Sequence, residues 1–253
     1  MNTARRIGTV LTGSIVAQII NLATLTYAAL AFGPEVFGIY AIIFAIAAPI
    51  GLVATLRLET AIIFAQIDRE VYLILTAAVV TTLTVALMIF VSAAVFQSLK
   101  IFYVGLLAAL LGLNAIIINL SNFRQQFVSL AVVRAGIALG VLFGVFVVQL
   151  TNAPPLDYLI IATIMGQATG VVFGIILHRN WVAASRVPLS LADYRKVIAT
   201  YKSFTIFNGA QSLFSTLQES AVVLVITAYG GVAVVGQYSF AQRVLRGPVT
   251  LVS

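Results

Sequence analysis

Residues 12–40 read TGSIVAQIINLATLTYAALAFGPEVFGIY, and this stretch decides the class of the fold. An uncharged, mostly apolar run continues until FGPEV interrupts it, and a second apolar run begins at once. Such runs of about 20 residues are what a helix needs to cross a hydrocarbon core of about 30 Å. The pattern recurs along the chain. Of its 253 residues 62% are hydrophobic and 8% charged, whereas a soluble domain is roughly 25% charged. The composition therefore predicts an all-α polytopic membrane protein, because no strand-like alternation of about ten residues recurs.

Eight spans are predicted, over 8–32, 37–65, 72–96, 101–123, 128–150, 158–177, 204–229 and 236–253. Their connections are short, except for a polar, basic segment at 178–203. There is no cysteine, which excludes disulfides and thiolate metal sites, and His178 is the only histidine. No cofactor and no metal is expected. The net charge of +7 reports orientation rather than nucleic-acid binding. With the N-terminus inside, Arg5, Arg6, Arg69, Arg124, Arg134, Arg179, Arg186, Arg195, Lys196 and Lys202 fall on the inner side and only Lys100 on the outer. Arg5 and Arg6 imitate a secretory leader. The run behind them, about 25 residues interrupted by Gln18 and Asn21, is too long for a leader's apolar core, so it reads as a span.

The opening stretch has a second copy. Residues 208–238 read NGAQSLFSTLQESAVVLVITAYGGVAVVGQY. Gly13 pairs with Gly209, Phe32-Gly33 with Tyr229-Gly230, and Gly38-x-Tyr40 with Gly236-x-Tyr238, a period of about 198 residues. Internal repeats are common in transporters. Here they imply a six-helix lobe at 1–177, the basic linker at 178–203, and the first two helices of an incomplete second lobe at 204–253. The first and seventh spans run in the same direction, so the repeat is parallel, and the chain is expected to stop about two helices into its second half.

Charges inside the spans are the candidate functional residues. A charge at a helix centre costs about 2.5–3.5 kcal/mol on the insertion scale, so it normally faces a partner or a wet cavity. Arg243 and Arg246 lie roughly 10 and 15 Å below Gly236 and, three residues apart, share a face. Glu219 lies roughly 16 Å below Gly230, at the depth of Arg246. This permits either a structural ion pair or a cationic cavity wall with an exchangeable carboxylate. In LRLET, Arg57 lies near the inner boundary, where it either snorkels or faces a cavity. Two residues apart, Arg57 and Glu59 point to different sides of a straight helix, so a shared site needs a bend, with Pro49 and Gly51 as its expected source. Arg134, two turns inside the fifth span, is a candidate for the same inner vestibule. The amides Gln18, Asn21, Asn114, Asn119, Gln211 and Gln218 serve either as inter-helix hydrogen bonds or as sugar contacts.

The segments FGPEVFGIYA, LRLETAI and FVSLAVVRAGIALG, with the second-lobe opening from YKSFTIFNGAQSLFSTLQES to the end, resemble the polysaccharide transporters. More narrowly they resemble the O-antigen flippase (Wzx-like) branch of the multidrug/oligosaccharidyl-lipid/polysaccharide exporter superfamily. The resemblance covers nearly the whole chain. It implies twelve or more helices in two lobes and a multi-pass protein of the bacterial inner membrane with a cytoplasmic N-terminus. It also implies transport of undecaprenyl-pyrophosphate-linked oligosaccharide for surface polysaccharide synthesis. By position it points to Arg57, Arg243 and Arg246 as contacts for the anionic cargo, and to Glu59 in the second helix. Of the two carboxylates at depth, Glu59 and Glu219 are the candidates for ion coupling or ion pairing. The implied partners are the lipid-linked glycan, the bilayer and other polysaccharide-assembly proteins; no nucleic acid is expected.

Three alternatives remain. A cation-coupled drug or metabolite exporter of the same superfamily would be expected to rely on acidic residues. A truncated half-carrier would be inert or would pair as a homodimer. A membrane enzyme would need an acid pair, an activated nucleophile or a phosphate loop, and the sequence offers none, so no enzymatic activity is expected.

Overall fold

The structure is a computed structural model. It describes the backbone of residues 3–65, 68–150, 155–179 and 190–252, with side chains over 15–65, 69–150, 156–179 and 192–245 and at Ser190. Among these residues it is helical throughout, with no strand. The helices are α1 (Thr3–Ala54), the short α2 (Leu58–Ala61), α3 (Asp68–Val95), α4 (Leu99–Phe123), α5 (Phe127–Gln149), α6 (Tyr158–Leu177) and α7 (Leu191–Val252). Short 3-10 turns occupy Ile62–Phe64 and Pro155–Asp157. Six of the helices are long and apolar enough to cross a membrane.

Two of those six are longer than one crossing needs. α1 has 52 residues and α7 has 62, so at 1.5 Å per residue they would rise about 78 and 93 Å. Each is broken at one glycine. Gly33 and Gly231 both adopt φ 78°, ψ 174°, a region essentially reserved for glycine. They stand 198 residues apart. This corrects the pairing of Gly33 with Gly230, which lies inside the helix. Only Gly231 breaks it, and the choice puts Gly33/Gly231, Gly38/Gly236 and Tyr40/Tyr238 on one uninterrupted register.

The chain divides into two compact units. The first comprises Met1–Ala45, Phe127–Phe173 and Glu219–Ser253. Within it α5 and α6 approach through small residues: a Cβ added at Gly140 would lie 2.8 Å from the Gly166 Cα, and one at Gly144 would lie 2.8 Å from the Ala162 Cα. Such contacts let membrane helices pack backbone to backbone. The two glycine-broken segments also meet here. A Cβ at Gly38 would strike the Val232 carbonyl oxygen at 2.0 Å, and one at Gly236 the Pro34 oxygen at 1.8 Å. On a 198-residue register Pro34 corresponds to Val232 and Gly38 to Gly236, so the contact is reciprocal.

The second unit comprises Ile46–Gln126 and Gly174–Gln218. Its core gathers Leu58, Ile62, Val71, Ile74, Leu120 and Tyr201. The start of α7 is tied down by a reciprocal cap: the Asp193 N–H donates to Ser190 Oγ (3.1 Å) and the Ser190 N–H to Asp193 Oδ2 (3.3 Å), satisfying otherwise orphaned donors. Ten residues on, the Tyr201 hydroxyl donates to Glu70 on α3. Several hydroxyls in the spans are satisfied locally: Thr81, Thr82 and Thr216 each donate to a carbonyl one turn back, as Thr and Ser do in membrane helices. Asn119 does likewise, giving its amide to Ala115 rather than to another helix.

Candidate functional site

In the second unit α1 continues through Pro49 and Gly51 to Ala54. The bend expected at those two residues lies instead at Thr55–Arg57, where both Leu56 (φ 52°) and Arg57 (φ 54°) are left-handed. Two consecutive non-glycine residues in that region cost roughly 1–2 kcal/mol each. The turn is held by its own hydrogen bonds. The Leu56 N–H donates to Val53 O (2.8 Å), the Arg57 N–H to Thr55 Oγ1 (3.2 Å), and the Thr60 hydroxyl to Arg57 O (2.7 Å).

This break removes the geometric objection to a shared site. Arg57 Nη1 donates to Glu59 Oε1 at 3.3 Å, and Nη2 donates to Ser212 Oγ on α7 at 2.8 Å. The Glu59 side chain is 1% exposed and that of Arg57 24%, so the pair is packed inward rather than snorkelling. It is not fully satisfied: Glu59 Oε2 and Arg57 Nε are buried with no hydrogen-bond partner among the described residues. A guanidinium has five donors in a fixed plane. One carboxylate oxygen and one hydroxyl leave part of that capacity for another anion.

In the first unit Arg243 meets aromatic faces. Its guanidinium carbon lies 4.7 Å from the Tyr40 ring centroid and 5.3 Å from that of Phe44. A desolvated cation–π contact contributes about 2 kcal/mol, comparable to the cost of placing the charge in a span. Arg134 on α5 and Glu219 on α7 are both exposed and belong to this unit. The Arg246 side chain, and with it the proposed Glu219–Arg246 pair, lies outside the described residues.

A second polar cluster in the second unit had no signal in the sequence. His178, just past α6, is 4% exposed, and its Nε2 lies 2.8 Å from Ser121 Oγ on α4. The Ser121 hydroxyl also lies 2.8 Å from Ile117 O, to which it can donate; when it does, its oxygen is left to accept from an Nε2–H. Burial, and secondarily the Arg124 charge, hold the imidazole below its usual pKa of 6.5.

Sequence reasoning named Arg57, Glu59 and Arg243 but missed Ser212, Tyr40 and Phe44. A serine or aromatic residue in an apolar helix carries no mark of the distant arginine it will meet. No protein-family model matches the chain, and no curated protein or solved structure matches it.

Proposed function

We propose that the chain is part of a carrier for an anionic, lipid-linked oligosaccharide, resembling the O-antigen flippases, with its N-terminus on the cytoplasmic side of a bacterial inner membrane. On this reading the breaks at Gly33 and Gly231 divide α1 and α7 into two crossings each. That makes eight spans, with residues 1–177 as one lobe and 204–253 as the opening of a second. The observation that carries the proposal is Arg57, a guanidinium packed into an apolar unit with donor capacity left over. A phosphate or pyrophosphate oxygen is the acceptor that suits a planar fork of N–H donors. Arg243, whose guanidinium carbon lies over the Tyr40 and Phe44 rings, supports the same chemistry, and Arg246 is the remaining candidate by position.

The unpartnered Glu59 Oε2 also favours a second role beside Arg57. When an anion draws the guanidinium away, the carboxylate becomes a place for a proton or sodium ion, which would couple ion movement to transport. A cation-coupled exporter of the same superfamily is the competing reading that uses this carboxylate alone.

The test is glycan export from cells whose chromosomal copy carries Arg57→Ala or Arg243→Ala. Each is expected to lower surface glycan at least tenfold at unchanged protein level, with Arg57→Lys restoring part of it, since lysine keeps the charge but not the fork. Wild-type glycan in both alanine variants would overturn the anionic-cargo reading and leave the cation exporter.

A further inference from the structure

The first turns of α7 have one face packed and one face open. Tyr194, Val197, Tyr201 and Phe204 recur at intervals of three and four residues, which aligns them on one side of a helix, and they lie against the core of the second unit. On the open side Lys196, Thr200, Ser203 and Phe207 form a second such stripe, and all four are exposed. Its polar part ends at Ser203, and Phe207 is 75% exposed. A neighbouring segment makes the same change at the same level. Ile63 and Phe64 are 71% and 56% exposed, and the Phe64 ring meets that of Phe204 edge-on at 4.8 Å between centroids. Five residues after Phe64 stands Arg69, also exposed, and the Tyr201 hydroxyl ties Glu70 beside it to α7. The Asp193 carboxyl is held below its ordinary pKa first by hydrogen bonds from Ser190 and then by the positive charges of Arg69 and Lys196, so both cations lie near it. Two adjoining segments that turn from apolar to cationic together mark the edge of a hydrocarbon layer, with the cations at headgroup depth.

We propose that this stripe, with Arg69 beside it, binds an anionic phospholipid of the bilayer, its phosphate between Lys196 and Arg69 and its acyl chain along Phe207 and the Phe64 and Phe204 rings. The Thr200 and Ser203 hydroxyls, between the cation and the ring on the same stripe, are placed to donate to phosphate or glycerol oxygens. Charge decides the class of headgroup. In the first turns of α7 and the start of α3 the described side chains include four cations, Arg69, Arg195, Lys196 and Lys202, against two carboxylates, Asp193 and Glu70. Glu70 already accepts from Tyr201. A headgroup with its own ammonium group would bring a like charge to this cationic surplus, whereas one carrying only phosphate charge gains about fivefold in affinity per nearby Lys or Arg. The exposed rings directly below the cations favour a lipid over a soluble phosphate, because only a lipid brings apolar surface to cover them. The site rests on no reading of the cargo.

The chain has a single tryptophan, Trp181, which allows a direct test by fluorescence quenching. The full chain carrying Trp181→Phe and either Phe207→Trp or Phe96→Trp is reconstituted into vesicles that mix phosphatidylglycerol with phosphatidylcholine, one of them brominated on its acyl chains. Phe96 is 72% exposed just past the other end of α3, about 40 Å from Arg69 along the helix. The Phe207→Trp protein is expected to show a relative affinity for phosphatidylglycerol about fivefold or more above phosphatidylcholine, and the Phe96→Trp protein no preference. Lys196→Gln with Arg69→Gln should abolish the preference, and Lys196→Arg with Arg69→Lys should keep it. Salt should give the same loss without substitution of either cation, since about 1 M shortens the Debye length to about 3 Å. Equal quenching of Phe207→Trp by both lipids, an equal preference in Phe96→Trp, or a preference that survives either neutralisation or salt would overturn the proposal. So would its loss to millimolar inorganic phosphate at constant ionic strength, which would make the occupant a soluble anion.

Discussion

Leu56 and Arg57 hold left-handed conformations that side chains ordinarily avoid, and the ion pair of the candidate site exists because of them. The charges could be read in the sequence; their meeting could not. A spacing of two residues separates side chains on any regular helix, and a break made by Leu and Arg carries none of the glycine or proline that advertises one. His178 shows the same limit, since Ser121 lies 57 residues away. Its consequence is a pH dependence with a definite sign. The folded state holds the imidazole neutral below pH 6.5, while the unfolded chain binds a proton near that value, so the unfolded state takes up more protons as the pH falls. Stability is therefore complete above 6.5 and declines as the pH drops from there toward the lowered native pKa. Thermal unfolding in detergent should show a falling Tm between pH 7 and pH 5, and His178→Gln, which keeps a donor for Ser121, should flatten that slope.

At the scale of the element, Gly33 and Gly231 matter for their backbone rather than for space. An added Cβ would meet nothing within 4 Å at either position, yet the φ of 78° disfavours any side chain. Gly33→Ala and Gly231→Ala are each expected to cost about 1–3 kcal/mol, read as a lowered Tm. Gly209→Ala, inside the helix with only an ordinary 3.8 Å contact to Arg57, should be neutral or gain up to about 1 kcal/mol from helix propensity. The matching intervals of the glycines and a tyrosine could be read from the letters. Their register slipped by one at the Gly230-Gly231 pair, where the letters are identical and only the dihedrals differ.

For the whole molecule, hydropathy made the helical membrane class plain, and long apolar helices follow from it directly. How often the chain crosses is a separate matter, and the glycine breaks define the experiment. If the break at Gly33 separates two crossings, six precede residue 178 and the basic segment 178–203 lies on the same side as the N-terminus. If α1 crosses once, five precede it and the two lie on opposite sides. Fusions of a fluorescent reporter and of a phosphatase active only outside the cytoplasm, placed at the N-terminus and within 178–203, are expected to report the same side.

The reciprocal approach of Pro34 to Gly236 and of Gly38 to Val232 carries a consequence for ancestry. A contact in which each member of a repeat offers the same patch to the other is the kind that two separate, identical chains form about a two-fold axis. A single short ancestor containing one glycine-broken segment would already have possessed this interface as a homodimer. Duplication and fusion would then have needed to invent no new surface, only to join two chains that were already partners.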